Sequence, residues 1–409
     1  MLRVVEAFSG IGSQAKALKR AGIEHEILAT VEWDINAIYA YDLIHNGPQD
    51  HSDYISLTKQ QIISKLGQYT LSSDGKKPLT QNYLKMMSRE ALLSLYIAIN
   101  RSKNLINITE ISGENLPNDI DLLTYSFPCQ DLSICGLWHG NISGIKKGIK
   151  NRSGMLWEIE RLLHEIKVDK KSLPRFLLME NVNNITSKRH KPDFEIWKKY
   201  LEDLGYKNFV FSLNALNFGI PQNRKRTFMI SVLMKNKLTD DYLENYFQNN
   251  NLENHRQVIA PVRNFLRLNY DNEIYLLEAL QSNPNNTPSR MKIYQENLVI
   301  YDGNEIQSEF VNTITTKQDR NPNSGVINFV TPGSRAKYRN LTPRECFLLM
   351  GFDESDFDQL MLYNIEVKKN IPIFTQQKLI KMAGNSIVVN ILEMLFKQIE
   401  VLNEFGSEC

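Results

Sequence analysis

Cysteine is scarce in this chain: four residues among 409, at Cys129, Cys135, Cys346 and Cys409. They are too few and too scattered for a disulfide framework. No Cys-x-x-Cys pair occurs, and none of the seven histidines forms a metal-ligand pattern with them. The expectation is a reduced protein with no metal centre. An excess of one charge is lacking too. Lys and Arg number 48 against 46 Asp and Glu, a net +2, which excludes attraction to polyanions by the molecule as a whole. No signal peptide or membrane span is legible, so the expected location is the cytoplasm, with no membrane partner. Internal repeats and low-complexity tracts are absent.

Hydrophobic residues make up 42% and charged residues 23% of the chain, ordinary values for a globular protein whose length suits two domains. Local charge is more informative than the total. Gly144 to Arg152 carries four basic residues and no acid, and Thr313 to Arg344 carries six basic residues and one acid. Each run reads either as solvated surface or, where several flank one cleft, as a phosphate-binding groove.

Leu2 to Phe8 is short, apolar and followed by a glycine turn, the pattern of a buried parallel strand. Gln14 to Arg20 predicts a helix and Ile27 to Glu32 the next strand. Strand character returns at 120–126, 175–179, 209–213 and 226–233, with helical periodicity over 156–167 and 194–204. This alternation predicts an α/β fold: a doubly wound, Rossmann-like sheet. Residues 46–118 are polar and lysine-rich with a helix around Ser88 to Ile99, and read as an insertion. Beyond Met234 the pattern changes to Asn-rich sequence with β-like runs at 297–301 and 311–316. The expected organisation is a catalytic and cofactor-binding domain over 1–234 (insertion about 46–118), a smaller irregular target-recognition domain over 235–339, and a helical segment over 340–409 packing back on the first domain.

The turn after the first strand contains Gly10, Gly12 and Ala15 at G-x-G-x-x-A spacing, between a strand and a helix as that pattern requires. Glu32 stands 22 residues after Gly10, at the end of the next strand, where a carboxylate accepts ribose hydroxyls. Alone this points to an adenosine-containing cofactor without saying which, and plain structural turns share the pattern. Cys129 leaves a strong strand between Pro128 and Gln130, at the sheet edge where such folds bind ligands. It is either a buried structural thiol or a nucleophile. Glu180 closes another apolar strand, as a helix cap or as a partly desolvated acid. Arg224 and Arg226 precede a strand and suit surface charge or the gripping of a base carbonyl or phosphate.

Taken in order, these residues resemble the cytosine-C5 DNA methyltransferase family. The ordered set runs from the Phe8–Gly12 turn through Glu32-Trp33, Pro128-Cys129-Gln130, Arg152-Ser153-Gly154, Glu180-Asn181-Val182 and Gln222-x-Arg224-x-Arg226. It continues with Arg339-Asn340-Leu341-Thr342-Pro343-Arg344-Glu345 and Gly384-Asn385-Ser386. Two segments, Asp121–Ser133 and Arg152–Arg161, resemble bacterial enzymes that methylate CpG.

The resemblance implies an enzyme that moves a methyl group from S-adenosylmethionine to C5 of a cytosine flipped out of double-stranded DNA, leaving S-adenosylhomocysteine, with no metal. Cys129 is implied as the nucleophile that adds to C6, splitting a difficult step in two. Glu180 would hydrogen-bond N3 and the exocyclic amine. Arg226, with Arg224 beside it, would hold O2. Phe8, Gly10, Gly12, Glu32, Trp33, Pro128, Asn385 and Ser386 would surround the cofactor. The family's adenine-binding aspartate is absent, and Asn107-Ile108 is the matching pair. Gln130, Ser133 and Arg152 would contact the DNA strand, with a loop over 131–151 closing over the flipped base. Thr313-Ile314 resembles a marker of the family's recognition domain, whose Lys317 and Arg320 would meet the DNA backbone and major groove. The expected assembly is a monomer, with a cognate restriction endonuclease as partner.

Overall fold

The computed structural model describes residues 1–129, 132, 144–147, 153–235, 238–320 and 323–407. The chain divides into two compact units. The first comprises Met1–Leu213, Lys225–His255 and Leu392–Cys409, and the second Asn214–Arg224 and Arg256–Ile391.

The first unit is built on strands β1 (Leu2–Ala7), β2 (His25–Val31), β3 (Leu122–Tyr125), β4 (Phe176–Val182), β5 (Tyr206–Asn214) and, after the short β6 (Gln222–Asn223) of the second unit, β7 (Lys225–Leu233). They form one six-stranded mixed sheet in the order β2-β1-β3-β4-β7-β5. The four strands from β2 to β4 run parallel, and β7 pairs antiparallel with β4. β3 is buried at every position, as expected of a parallel strand covered on both faces.

Helices complete the layers because their apolar residues recur at helical spacing. The helix α1 (Ser13–Arg20) joins β1 to β2. A helical insertion follows: α2 (Ile35–Asn46), α3 (Lys59–Leu66), α4 (Gln81–Met86) and α5 (Arg89–Arg101). Asp34, Thr58, Thr80 and Ser88 cap these four helices through their side chains. Next, α6 (Leu156–Val168) buries Leu156, Ile159, Leu162, Leu163 and Ile166, and α7 (Lys191–Asp203) buries Phe194, Trp197 and Leu201. The Trp197 indole donates to the Tyr125 hydroxyl at 3.2 Å, so this core carries no unsatisfied aromatic donor at that point.

The stretch expected to be irregular is more regular than its composition suggests. A helix α8 (Asp240–Asn249) belongs to the first unit, and the longer of the second unit's two segments starts at Arg256. The second unit holds α9 (Glu273–Gln281) and α10 (Pro288–Glu296), then a four-stranded sheet in the order β12-β11-β8-β9. Its strands are β8 (Val299–Asp302), β9 (Glu305–Ile306), β11 (Val326–Asn328) and β12 (Tyr338–Asn340). Separately, β10 (Val311–Asn312) pairs with β6. It ends short of the expected 316 because the Ile314 N–H donates to the Gln222 side chain at 2.9 Å instead of continuing the strand pairing.

Inside this unit α11 (Pro343–Leu349) starts from a capping box made by Thr342 and Glu345. The Glu345 carboxylate also receives both terminal nitrogens of Arg339 at 2.8 Å, with neither side chain exposed. Two further helices, α12 (Glu354–Leu362) and α13 (Gln376–Asn385), precede the final α14 (Val389–Ser407). The stretch Gln376–Gly406 has the length and apolarity of a membrane span, but 67% of its window is buried inside the protein, as in a core helix.

Candidate active site

Strand register sets the site. Ala7 lies beside Val31 on one side and Tyr125 on the other, and Tyr125 lies beside Met179. The next residue of each strand, Phe8, Glu32, Ser126 and Glu180, therefore stands in a row at one edge of the sheet. In open α/β sheets that carboxyl edge is where ligands bind.

Along this row the first turn is wound through left-handed conformations: φ is +58° at Phe8, +55° at Gly10 and +79° at Gly12. Only glycine adopts these angles readily, so Phe8 is a strained position, a kind that clusters at functional sites. A Cβ built at Gly10 would meet nothing within 4 Å, which leaves open space above the turn. The Glu32 carboxylate accepts the N–H groups of Gly10 at 3.2 Å, Trp33 at 2.9 Å and Asp34 at 2.8 Å. Burial, with the nearby Asp34, pushes the Glu32 carboxyl up to about 7 against the pull of those three donors.

One residue that sequence reasoning missed completes this part. The Asn104 side chain accepts from the Glu32 N–H at 3.1 Å and donates to the Glu32 carbonyl at 3.0 Å, clamping the peptide that aims the carboxylate. No motif announced it; its place three residues before Asn107 was the only signal. Asn107 itself accepts from the Thr109 N–H and hydroxyl at 3.2 and 3.0 Å, while Ile108 is buried.

The second turn carries Cys129, whose side chain is partly exposed. Its carbonyls are held one by one. Phe127 O accepts from Asn181 Nδ2 at 3.0 Å, Pro128 O from Ser153 Oγ at 2.8 Å, and Cys129 O from Leu132 N at 3.0 Å. Leu132 O in turn accepts from Asn184 Nδ2 at 2.6 Å. Two of these donors, Asn181 and Ser153, lie in motifs read from the sequence; Asn184 does not.

β4 continues past Met179 to Val182, so Glu180 sits within the strand rather than at its end. It faces Phe228 across the antiparallel pair, and Val182 faces Arg226. Glu180 and Arg226 are thus diagonal neighbours on one face. The Arg226 Nε approaches Glu180 Oε1 to 3.5 Å, with the side chains 16% and 12% exposed. A carboxylate and a guanidinium left partly open in this way can offer one acceptor and several donors to a planar heterocycle.

Arg224 has a different setting. It is buried in the second unit, and its guanidinium donates to the carbonyls of Ile314 at 2.8 Å, Gly384 at 3.1 Å and Ser386 at 2.9 Å. This favours a scaffolding task over contact with a base. Ser386 also donates to Met382 O at 2.8 Å, while Asn385 ends its helix exposed. Lys317 and Arg320 are exposed on a loop whose interior is filled by Gln318, Asn323 and Ser324. Gln130, Ser133 and Arg152 lie outside the described residues. Among the described residues no group of three or more His, Cys, Asp or Glu is arranged to hold a metal ion.

Comparison with known proteins agrees with this architecture. The family model for C-5 cytosine-specific DNA methylase matches residues 61–401. The chain is 34% identical over 400 residues to the type II methyltransferase M2.ScrFI of Lactococcus lactis subsp. cremoris, covering 98% of this chain and 99% of that protein. It is also 34% identical over 409 residues to the orphan methyltransferase M.SssI of Spiroplasma monobiae, with 97% of each covered. Among solved structures, S. pombe Dnmt2 methyltransferase superposes with a TM-score of 0.61 at 18% identity over 98% of this chain and 100% of that one, a likeness of fold. With the family model spanning most of the chain and both relatives matched nearly end to end, this protein belongs to the C-5 cytosine-specific DNA methylases.

Proposed function

We propose that this enzyme methylates C5 of a cytosine rotated out of duplex DNA, through a covalent bond between the Cys129 sulfur and C6. The observation that carries the reading is the row at one sheet edge, from the glycine turn and Glu32 through the Cys129 turn to Glu180 with Arg226 beside it.

The first half of this row suits S-adenosylmethionine. Open space lies above Gly10, Phe8 and Trp33 near it in the chain are partly buried, and a carboxylate such as Glu32, which accepts the Gly10 N–H, suits ribose hydroxyls. The resemblance adds Pro128, Asn385 and Ser386 to this set, with Asn107 and Ile108 at the adenine. When bound, the cofactor supplies an electrophilic methyl group.

The second half suits the base. The Cys129 thiolate adds to C6, forming the S–C6 bond and making C5 electron-rich. Glu180, acting as the acid, donates to N3 and accepts from the exocyclic amine, and Arg226 donates to O2, where negative charge gathers as the sulfur adds. Once C5 carries the methyl group that the cofactor would supply, its proton passes to solvent and the S–C6 bond breaks, returning the thiolate. Rotation of the base out of the helix costs a few kcal/mol.

In this reading the first unit does the chemistry and the second reads the target. Lys317 and Arg320 contact DNA there, while Gln130, Ser133 and Arg152 contact the strand near the flipped base. A monomer, with a restriction endonuclease of the same specificity as its partner, is the assembly proposed.

A duplex containing 5-fluorocytosine tests the mechanism, because fluorine at C5 cannot leave as a proton does. Wild type with S-adenosylmethionine should give a covalent complex that survives a denaturing gel, and Cys129→Ser should give none. Full methyl incorporation by Cys129→Ser would falsify the nucleophile assignment.

A further inference from the structure

The inner side of the glycine turn is closed by two residues of α2 that no part of the chemistry above uses. His45, in the last turn of that helix, places Nε2 at 3.0 Å from the Ile11 carbonyl. A carbonyl oxygen only accepts, so Nε2 carries the proton. Directly beneath Gly12 the packing leaves no room: a Cβ there would lie 2.1 Å from His45 Nε2 and 2.7 Å from Tyr41 Cε2. The two α2 rings lean on each other, with centroids 4.5 Å apart. Near Tyr41 lies Glu6, whose carboxyl is fully buried.

The contrast between the two sides of the turn is the telling feature. Gly10 looks onto open space, whereas Gly12 is seated on His45 and Tyr41. A turn built from positive-φ residues is prone to peptide flips, because glycine accepts both orientations at little cost. The Ile11–Gly12 peptide is the one a flip would reverse, and its carbonyl is the atom His45 holds. In the present orientation the Gly12 N–H donates to the Ser9 carbonyl at 2.9 Å, so a reversed peptide would lose that bond together with the one to His45 and turn the Ile11 oxygen toward the Ser9 oxygen.

We propose that His45 is a positioning residue for cofactor binding, which locks the Ile11–Gly12 peptide through its Nε2–H and so keeps the glycine turn in its receptive form. The proposal rests on the reading that this turn holds S-adenosylmethionine. The imidazole is suited to constant service: burial pushes it down to about 4, outweighing the Ile11 carbonyl, so it stays neutral across the working range of a cytosine methylase.

The test compares His45→Leu, which fills space without a donor, with His45→Gln, whose side-chain amide restores an N–H at similar reach. Three quantities are read on the full chain: S-adenosylmethionine Kd by titration calorimetry, KM and kcat on duplex DNA, and amide hydrogen exchange of residues 8–16 without cofactor. In His45→Leu, Kd and KM should rise about tenfold, the worth of one lost hydrogen bond. The effect on kcat at saturating cofactor should stay within about twofold. Exchange over residues 8–16 should accelerate in the cofactor-free protein. His45→Gln should recover most of the affinity and the slow exchange. If His45→Leu fails to fold, His45→Asn, polar but too short to reach the carbonyl, takes its place with the same expectation.

Unchanged Kd in a folded donor-less variant would overturn the proposal, as would equal losses in His45→Leu and His45→Gln. Absence of S-adenosylmethionine binding by the wild type would instead overturn the cofactor reading beneath it.

Discussion

Asn181 Nδ2 donates to the Phe127 carbonyl at 3.0 Å, so the strand that carries Glu180 also holds the turn that carries Cys129. Asn181 is 1% exposed, and no water replaces the donor cheaply if it is removed. Asn181→Ala should therefore lower kcat by about 10²-fold, the order of loss for small misplacement of a reacting group. S-adenosylmethionine affinity should stay within about threefold, since the glycine turn lies on other strands. Steady-state kinetics with cofactor titration checks this; an unchanged kcat would show that the thiol is held well enough by Ser153 and Asn184 alone.

The Arg339–Glu345 pair is fully buried and bidentate, and Glu345 simultaneously caps α11. Glu345→Gln would leave the Arg339 charge without its counter-ion in the interior. Breaking such a pair costs about 3–5 kcal/mol. Denaturant unfolding should show that loss. A cost below about 1 kcal/mol would mean that Tyr270, which accepts from Arg339 Nε at 3.0 Å, carries the charge without help.

Glu6 makes stability depend on pH in the direction opposite to an ordinary salt-bridged acid. Burial pushes its carboxyl up from 4.5 to about 7, with Tyr41 and Ala15 pulling the other way. Between these values the folded protein binds more protons than the unfolded chain, so stability falls as pH rises from about 5 to 7 and stays lower above it. The interval amounts to roughly 3 kcal/mol. Glu6→Gln, which keeps the neutral shape, should melt higher than wild type at pH 8 and lose that advantage near pH 5. Parallel melting curves at all pH values would contradict the assignment. Glu32 is raised in the same direction, and the single replacement separates the two.

Much of the first unit was legible because strands buried on both faces leave apolar runs, and β1, β3, β4 and β7 all show them. Sheet order was not, since nothing local tells β7 to insert between β4 and β5. Asn-rich composition masks the starts of α8, α9 and α10. The signals were there: Thr239 before two aspartates, Asn272 before Glu273, and Thr287 before Pro288. At the site, residues in motifs could be named, whereas Asn104, Asn184 and His45 could not. Each acts through one backbone peptide far away in sequence, and such a partnership leaves no periodicity or spacing to find.

The diagonal placement of Glu180 and Arg226 has a consequence for how this enzyme can change. Side chains alternate between the two faces of a sheet, so sliding β7 by a single residue along β4 would send the guanidinium to the reverse surface. The acid and its companion cannot drift apart by degrees. Variation at this edge is quantised: lineages can exchange one group for another, or keep both, but no series of small shifts leads from the working arrangement to a neighbouring one.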